Sequence, residues 1–128
     1  MFSRFSTAAL RVLRLAEQEC RNHNHYYVGV EHMLFALIEE QDADVEAALR
    51  EEQISSGDIY TELKRALGTG EDRVWEGILI TPRVRNIVRN AEARVGDGNI
   101  EPIDLYRAIR DERGGVAADV LARLAASR

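Results

Sequence analysis

The chain has a single cysteine, Cys20, among 128 residues. An internal disulfide is therefore excluded, and a structural zinc site would lack its usual thiolates, since only His23, His25 and His32 accompany it. No apolar run approaches the roughly 20 residues needed to cross a bilayer, and Arg4, Arg11 and Arg14 interrupt the start. That start is also unlike a signal peptide, which makes a cytoplasmic location the expectation. Aromatic residues make up only 6%, so a core must come from Leu, Ile, Val and Ala. Positive charge is in deficit: 17 basic side chains stand against 22 acidic ones, for a formal charge of −5. A nucleic-acid binder usually shows the opposite balance, so neither nucleic acid nor membrane is expected as a partner. No Gly-rich loop followed by Lys and Ser/Thr occurs, which removes a phosphate-loop ATPase signature. Gly96–Asp97–Gly98–Asn99 lacks the length and closing Glu of an EF-hand and reads as a turn. No cofactor or metal is expected.

What is present is an apolar share of 45%, enough for one ordinary core, arranged at helical spacing. Ala9, Val12, Leu13, Ala16 and Cys20 share a face of a helix over 6–22, with Ser6 as its N-cap. A second helix covers 30–40 through Met33, Leu34, Leu37 and Ile38, and a third covers 44–51. Ser55 and Asp58 have capping-box spacing before a helix that should bury Ile59, Leu63, Ala66 and Leu67 and stop at Gly68. Residues 68–80 read as a linker whose Trp75, Ile78, Leu79 and Ile80 pack in part. Thr81 caps and Pro82 opens the next helix, which ends before Gly96. Pro102 opens another, and Gly114–Gly115 separates it from a last one running through Leu124. The pattern predicts an all-α domain of about seven helices.

The halves echo each other. Val28, Met33, Leu37 and Leu49 have apolar counterparts 72 residues later at Ile100, Leu105, Ile109 and Leu121, and Ala16 matches Ala91 at a slightly different offset. Two such halves bury their apolar faces on one another and leave a groove near the first turns of the long helices. Charge is uneven as well. Between Glu39 and Glu62 stand nine acids and Arg50 alone, a surface suited to solvent or to a basic partner.

Few residues carry chemistry. Cys20 sits on an apolar face and reads as structural. His32 reads as a packed or capping histidine. Glu31, early in its helix, is stabilised by open amides and suits a guanidinium. Thr81, Arg83 and Arg85, with Ser6 and Thr7 in the first half, mark helix starts that cap themselves or receive an anion.

Several segments together resemble a known family. Met1–Phe2–Ser3–Arg4–Phe5–Ser6, Val12–Leu13, Ala16, Asn24–His25 and Gly29–Val30–Glu31–His32 are similar to the N-terminal domain of Clp ATPases, ClpC type in particular. Thr81–Pro82–Arg83, Ala91 and Gly114–Gly115–Val116–Ala117–Ala118 leading to Val120–Leu121 carry the likeness through the second half. The resemblance implies two pseudo-symmetric Clp repeats, of seven to eight helices in all: repeat one over about 1–67, a linker over 68–80, and repeat two over about 81–128. It implies a noncatalytic module that recruits protein substrates or adaptor proteins to a Clp-type ATPase in protein quality control. Some such domains hold phosphorylated arginine with a Glu and helix-start groups. By resemblance Glu31 with the Ser6–Thr7 start is that site, and Thr81 and Arg83 belong to the candidate set. Ile103 occupies the place of the second Glu, and Asp104 beside it points about 100° away on a helix. Phe2, Ile80 and Arg83 match a surface that receives cyclic peptides in some relatives, with Ile80 standing for an aromatic ring. The family also continues past Leu124 into a last helix. Two other readings stand beside this one: a stand-alone helical scaffold or decoy that sequesters adaptors, and a small hydrolase using Cys20 or a histidine.

Overall fold

The computed structural model describes residues 2–23, 25, 27–67, 79–112 and 114–126. Of the expected linker, only Leu79 and Ile80 fall within them; Met1, Asn24, Trp75, Ile78 and the helix stop at Gly68 lie outside the described residues. Seven helices are present among them: α1 (Thr7–Asn22), α2 (Val30–Glu40), α3 (Ala43–Glu51), α4 (Ser56–Leu67), α5 (Pro82–Val95), α6 (Pro102–Glu112) and α7 (Gly115–Ala126).

Most of their boundaries are set by local chemistry. Ser6 Oγ accepts from Ala9 N at 3.1 Å, Asp42 Oδ2 from Asp44 N and Val45 N at 3.1 and 3.2 Å, Ser55 Oγ from Asp58 N at 3.4 Å, and Thr81 Oγ1 from Val84 N at 3.2 Å. Each bond satisfies an amide that the first helical turn leaves open. Gly115 begins α7 at φ +84°, a conformation that would strain any residue with a Cβ.

The helix α2 is buried almost all round, from Val30 to Ile38, and forms the centre. Its Met33, Leu34 and Leu37 join Val12 of α1, Ile87 of α5, Leu105 and Ile109 of α6 and Leu121 of α7 in a single apolar cluster. The expected buried face of α4 is corrected at one place: Ile59 and Leu63 are enclosed and Leu67 is half-buried, but Ala66 is exposed. Its last turn runs past the edge of the core, where a methyl group is left facing water.

The two halves exchange short strands. β1 (Tyr27–Val28), just before α2, pairs in parallel with β2 (Leu79–Ile80), just before α5. Phe5, before α1, forms a parallel bridge with Ile100, before α6. Each half therefore satisfies the backbone of the other, because a two-residue strand has no partner within its own half. The result is an all-α domain of two pseudo-symmetric repeats.

Candidate functional site

The strand exchange decides which helix starts meet. Thr81 N donates to Val28 O at 3.2 Å, so the start of α5 lies against the segment that opens α2. Across the molecule, Ser6 N donates to Ile100 O at 2.9 Å and Ile100 N to Arg4 O at 2.7 Å, so the start of α1 lies against that of α6. The backbone pairing therefore joins segments from opposite halves of the chain. The segment that opens α2, three residues before Glu31, is bonded to Thr81, and Ser6 is bonded to Ile100, just before the Glu101–Asp104 turn.

Glu31 is half-buried at the second position of α2. Its carboxylate lies back over Gly29, where an added Cβ would meet Oε2 at 2.7 Å; glycine at the N-cap is what leaves room for it. Gly29 has no side chain with which to cap, and the helix end favours negative charge.

His32, one residue on, is the buried polar residue of this region. Its Nδ1 accepts from Gly29 N at 2.9 Å. That bond requires an unprotonated Nδ1, so in neutral His32 the proton sits on Nε2, which donates to His25 Nδ1 at 2.8 Å. The other ring nitrogen of His25 is then the donor to the Leu67 carbonyl at the end of α4. A relay of two imidazoles thus ties the start of α2 to the end of α4. Burial, followed by the neighbouring imidazoles of His25 and His23, holds His32 down to about 4. Burial and His23 also lower His25, opposed by the Leu67 bond and by the carboxylate of Glu31.

At α5 the open donors are few. Thr81 N is used by Val28, Pro82 has no N–H, and Val84 N is used by Thr81 Oγ1, which leaves the amide of Arg83. The Arg83 side chain turns elsewhere. It lies across Gly114–Gly115, where an added Cβ would meet its guanidinium at 2.6 and 3.0 Å, and its Nη1 stands 3.5 Å from Glu112 Oε1. The glycine pair is thus the bed of an arginine as well as a helix break.

The opposite arm has a different inventory. Ser6 Oγ is spent on Ala9, Thr7 is exposed, and the amides of Thr7 and Ala8 remain open. Ile103 is half-buried against the core, and Asp104 Oδ2 accepts from Glu101 N at 2.9 Å. Asp104 is therefore a cap and does not stand in for a carboxylate at position 103.

Phe2 and Ile80, the candidate apolar surface, are both partly covered. Phe2 meets the Phe5 ring edge-on at 5.1 Å, and both Phe2 and Ile80 pack against the core cluster from different arms. The Cys20 thiol donates to His25 O and Tyr27 O at 3.0 and 3.3 Å, and burial pushes it up to about 11. A thiol held protonated on backbone carbonyls is a structural group, as its place on the apolar face implied. Among the described residues no group of three or more His, Cys, Asp or Glu side chains is placed to hold a metal ion, and no helix is long and apolar enough to cross a membrane.

The imidazole relay and the Arg83 bed were not evident from spacing, since both join residues far apart in the chain. One signal did exist for His32: the offset of 72 aligns it with Asp104, an ordinary capping residue, and the structure gives both the same task.

Together these features define an all-helical domain whose helix starts are paired across its two halves. Residues 4–122 match the family described as the Clp repeat (R) N-terminal domain, and the chain belongs to that family. Chaperone protein ClpC of Pisum sativum chloroplasts is 34% identical over 129 residues, covering 98% of this chain and 14% of its own length. A ClpA homolog described as an ATP-dependent Clp protease ATP-binding subunit, from Porphyra purpurea, is 33% identical over 128 residues, covering 98% of this chain and 16% of its own. This chain thus spans about one-seventh of the relatives it matches. The fold agrees with the N-terminal domain of ClpD from Arabidopsis thaliana, at a TM-score of 0.70 and 19% identity over 97% of this chain and 89% of that one. The N-domain of ClpV from Vibrio cholerae gives 0.70 at 14% identity, over 93% and 70%.

Proposed function

We propose that this domain is a noncatalytic recognition module that captures protein substrates or adaptors for a Clp-type unfoldase in the cytoplasm, and that the joined starts of α2 and α5 are its charged binding arm. The observation that supports the reading is the Thr81 N to Val28 O bond, which joins the start of α5 to the segment that leads into Glu31. A half-buried carboxylate beside a helix end suits a ligand that is cationic at one place and anionic at another. Phosphorylated arginine has that form. Glu31 would take the guanidinium through a charge-assisted bond, while the Arg83 amide and the start of α5 would meet the phosphate. Ile103 in the opposite arm supplies no charge, so one such site is expected per domain. The hydrolysis of ATP, where coupled, belongs to another segment or chain. The division into repeat one over 1–67, linker over 68–80 and repeat two over 81–128 is part of the same proposal.

Calorimetric titration with a phosphoarginine peptide and its unphosphorylated twin tests the specificity. Saturable binding of the first alone, at one site per chain, is the expected result, and equal weak binding of both overturns it. Glu31→Gln should then weaken the phosphopeptide; an unchanged affinity would move the site elsewhere. The decoy reading is separated by pull-down of the full gene product with and without nucleotide: an unfoldase that fails to join it favours sequestration.

A further inference from the structure

A second surface, between α1, α2 and α4, has its own logic. An open cleft of about 590 Å³ lies between α1, α2 and α4, lined by Glu19, His23, Phe35, Glu39, Tyr60 and Lys64, with Asn22 at its rim. The Phe35 ring forms its floor and meets Tyr60 edge-on at 4.5 Å and His23 at 6.4 Å. The Tyr60 hydroxyl donates to Glu39, and Glu19 is 3.6 Å from His23 Nδ1. Neither carboxylate is paired with a lysine or arginine among the described residues, and Lys64 bridges to neither.

The internal repeat gives this cleft a built-in reference. The N-caps Ser6 and Thr81 align α1 with α5, which puts Arg94 at the place of Glu19. The offset of α6 from α2 puts Asp111 at the place of Glu39 and Arg107 at that of Phe35. In the second repeat Arg94 and Asp111 are joined in an ion pair. In the first, both positions are acidic, so no arginine joins them, and Phe35 and Tyr60 line the gap with Lys64. We propose that the α1–α2–α4 cleft is a second peptide-binding site, and that its occupant is an unmodified arginine side chain of a partner polypeptide whose guanidinium takes the place Arg94 holds in the other repeat. A planar cation gains from two carboxylates and from a ring face together. Glu39 lines the cleft at the head of an acid-rich stretch of sequence that runs to Glu62, whose net charge favours a basic segment. A phosphorylated arginine, which carries net negative charge, is repelled here, so the cleft and the Glu31 arm select opposite forms of one side chain.

The test uses the 128-residue chain and three short peptides that differ at one residue: arginine, citrulline and phosphoarginine. The arginine peptide should shift the Phe35 and Tyr60 ring resonances saturably, with the other two at least tenfold weaker at this cleft. Glu19→Arg, which copies the second repeat, should remove that binding while raising the thermal midpoint of the free domain. Glu31→Gln should leave it in place, so failure of the phosphoarginine reading and failure of this one give different results. Equal shifts by citrulline and arginine, tighter binding of phosphoarginine at these rings, or unchanged arginine affinity in Glu19→Arg would each overturn the proposal.

Discussion

At the third residue of α2 stands His32, and at the third residue of α6 stands Asp104; each accepts a hydrogen bond of 2.9 Å from the amide three residues before it. One position earlier the repeats part company, with Glu31 in the first and Ile103 in the second. They part again where Glu19 and Glu39 correspond to Arg94 and Asp111. The positions that hold the backbone have kept their function while changing residue type, because an imidazole nitrogen and a carboxylate oxygen both accept. The neighbouring side chains satisfy no backbone group at the helix start and are free to differ. A repeat fold thus separates what maintains the frame from what meets a partner.

The most damaging way to probe this comparison is through the shared core. Leu37→Ala and Ile109→Ala occupy matching, fully buried positions and should each cost about 2–5 kcal/mol. Since one cluster spans both repeats, urea unfolding should remain a single transition in either variant. Two separated transitions would show that the repeats stand independently.

Next in size is the imidazole of His32. Its folded value, near 4, lies below the ordinary 6.5, so between these limits the unfolded chain binds more protons than the folded one. Stability is therefore full above about pH 6.5 and is lost as pH falls toward 4, on the order of 2 kcal/mol when partial solvent screening is allowed for. Protonation of Nδ1 would also deprive Gly29 N of its acceptor. Thermal melts from pH 7 to 4.5 should show the slope, and His32→Asn, which keeps an acceptor without titrating, should flatten most of it. His25, also lowered, accounts for a remainder.

The comparison is sharpened at the two divergent positions. Glu31→Gln should weaken a phosphoarginine peptide about tenfold, near 1.4 kcal/mol. Ile103→Glu should add a weaker second site beside the open amides of Thr7 and Ala8, read as a rise in calorimetric stoichiometry. The smallest expected effect is at the caps: Ser6→Ala and Thr81→Ala should each lower stability by about 1 kcal/mol, measured by denaturant midpoint.

The helices were legible because their signals are local. Ser6, Ser55 and Thr81–Pro82 each announce a start within a few residues, and the apolar spacing on α1 and α5 names the faces that are buried. Ala66 misled because periodicity assigns a face without saying where the core ends. Arg83 was grouped with the anion site on its proximity to Thr81, yet Glu112 and the bare backbone at Gly114–Gly115 draw its side chain away. Position in the chain does not reveal which way a long side chain turns.

Composition and spacing by themselves determined a seven-helix, twofold-repeated domain with Glu31 at a helix start and a structural Cys20. Only the tertiary structure decided that the segment opening α2 pairs with the one opening α5, that His25 and His32 link α2 to α4, and that two acids on separate helices line one cleft with Phe35 and Tyr60. The reason is physical: caps and periodicity act over one or two turns. The pairing of Val28 with Ile80 and of Phe5 with Ile100 instead depends on which halves satisfy one another's backbone, and that is fixed only when both are folded together.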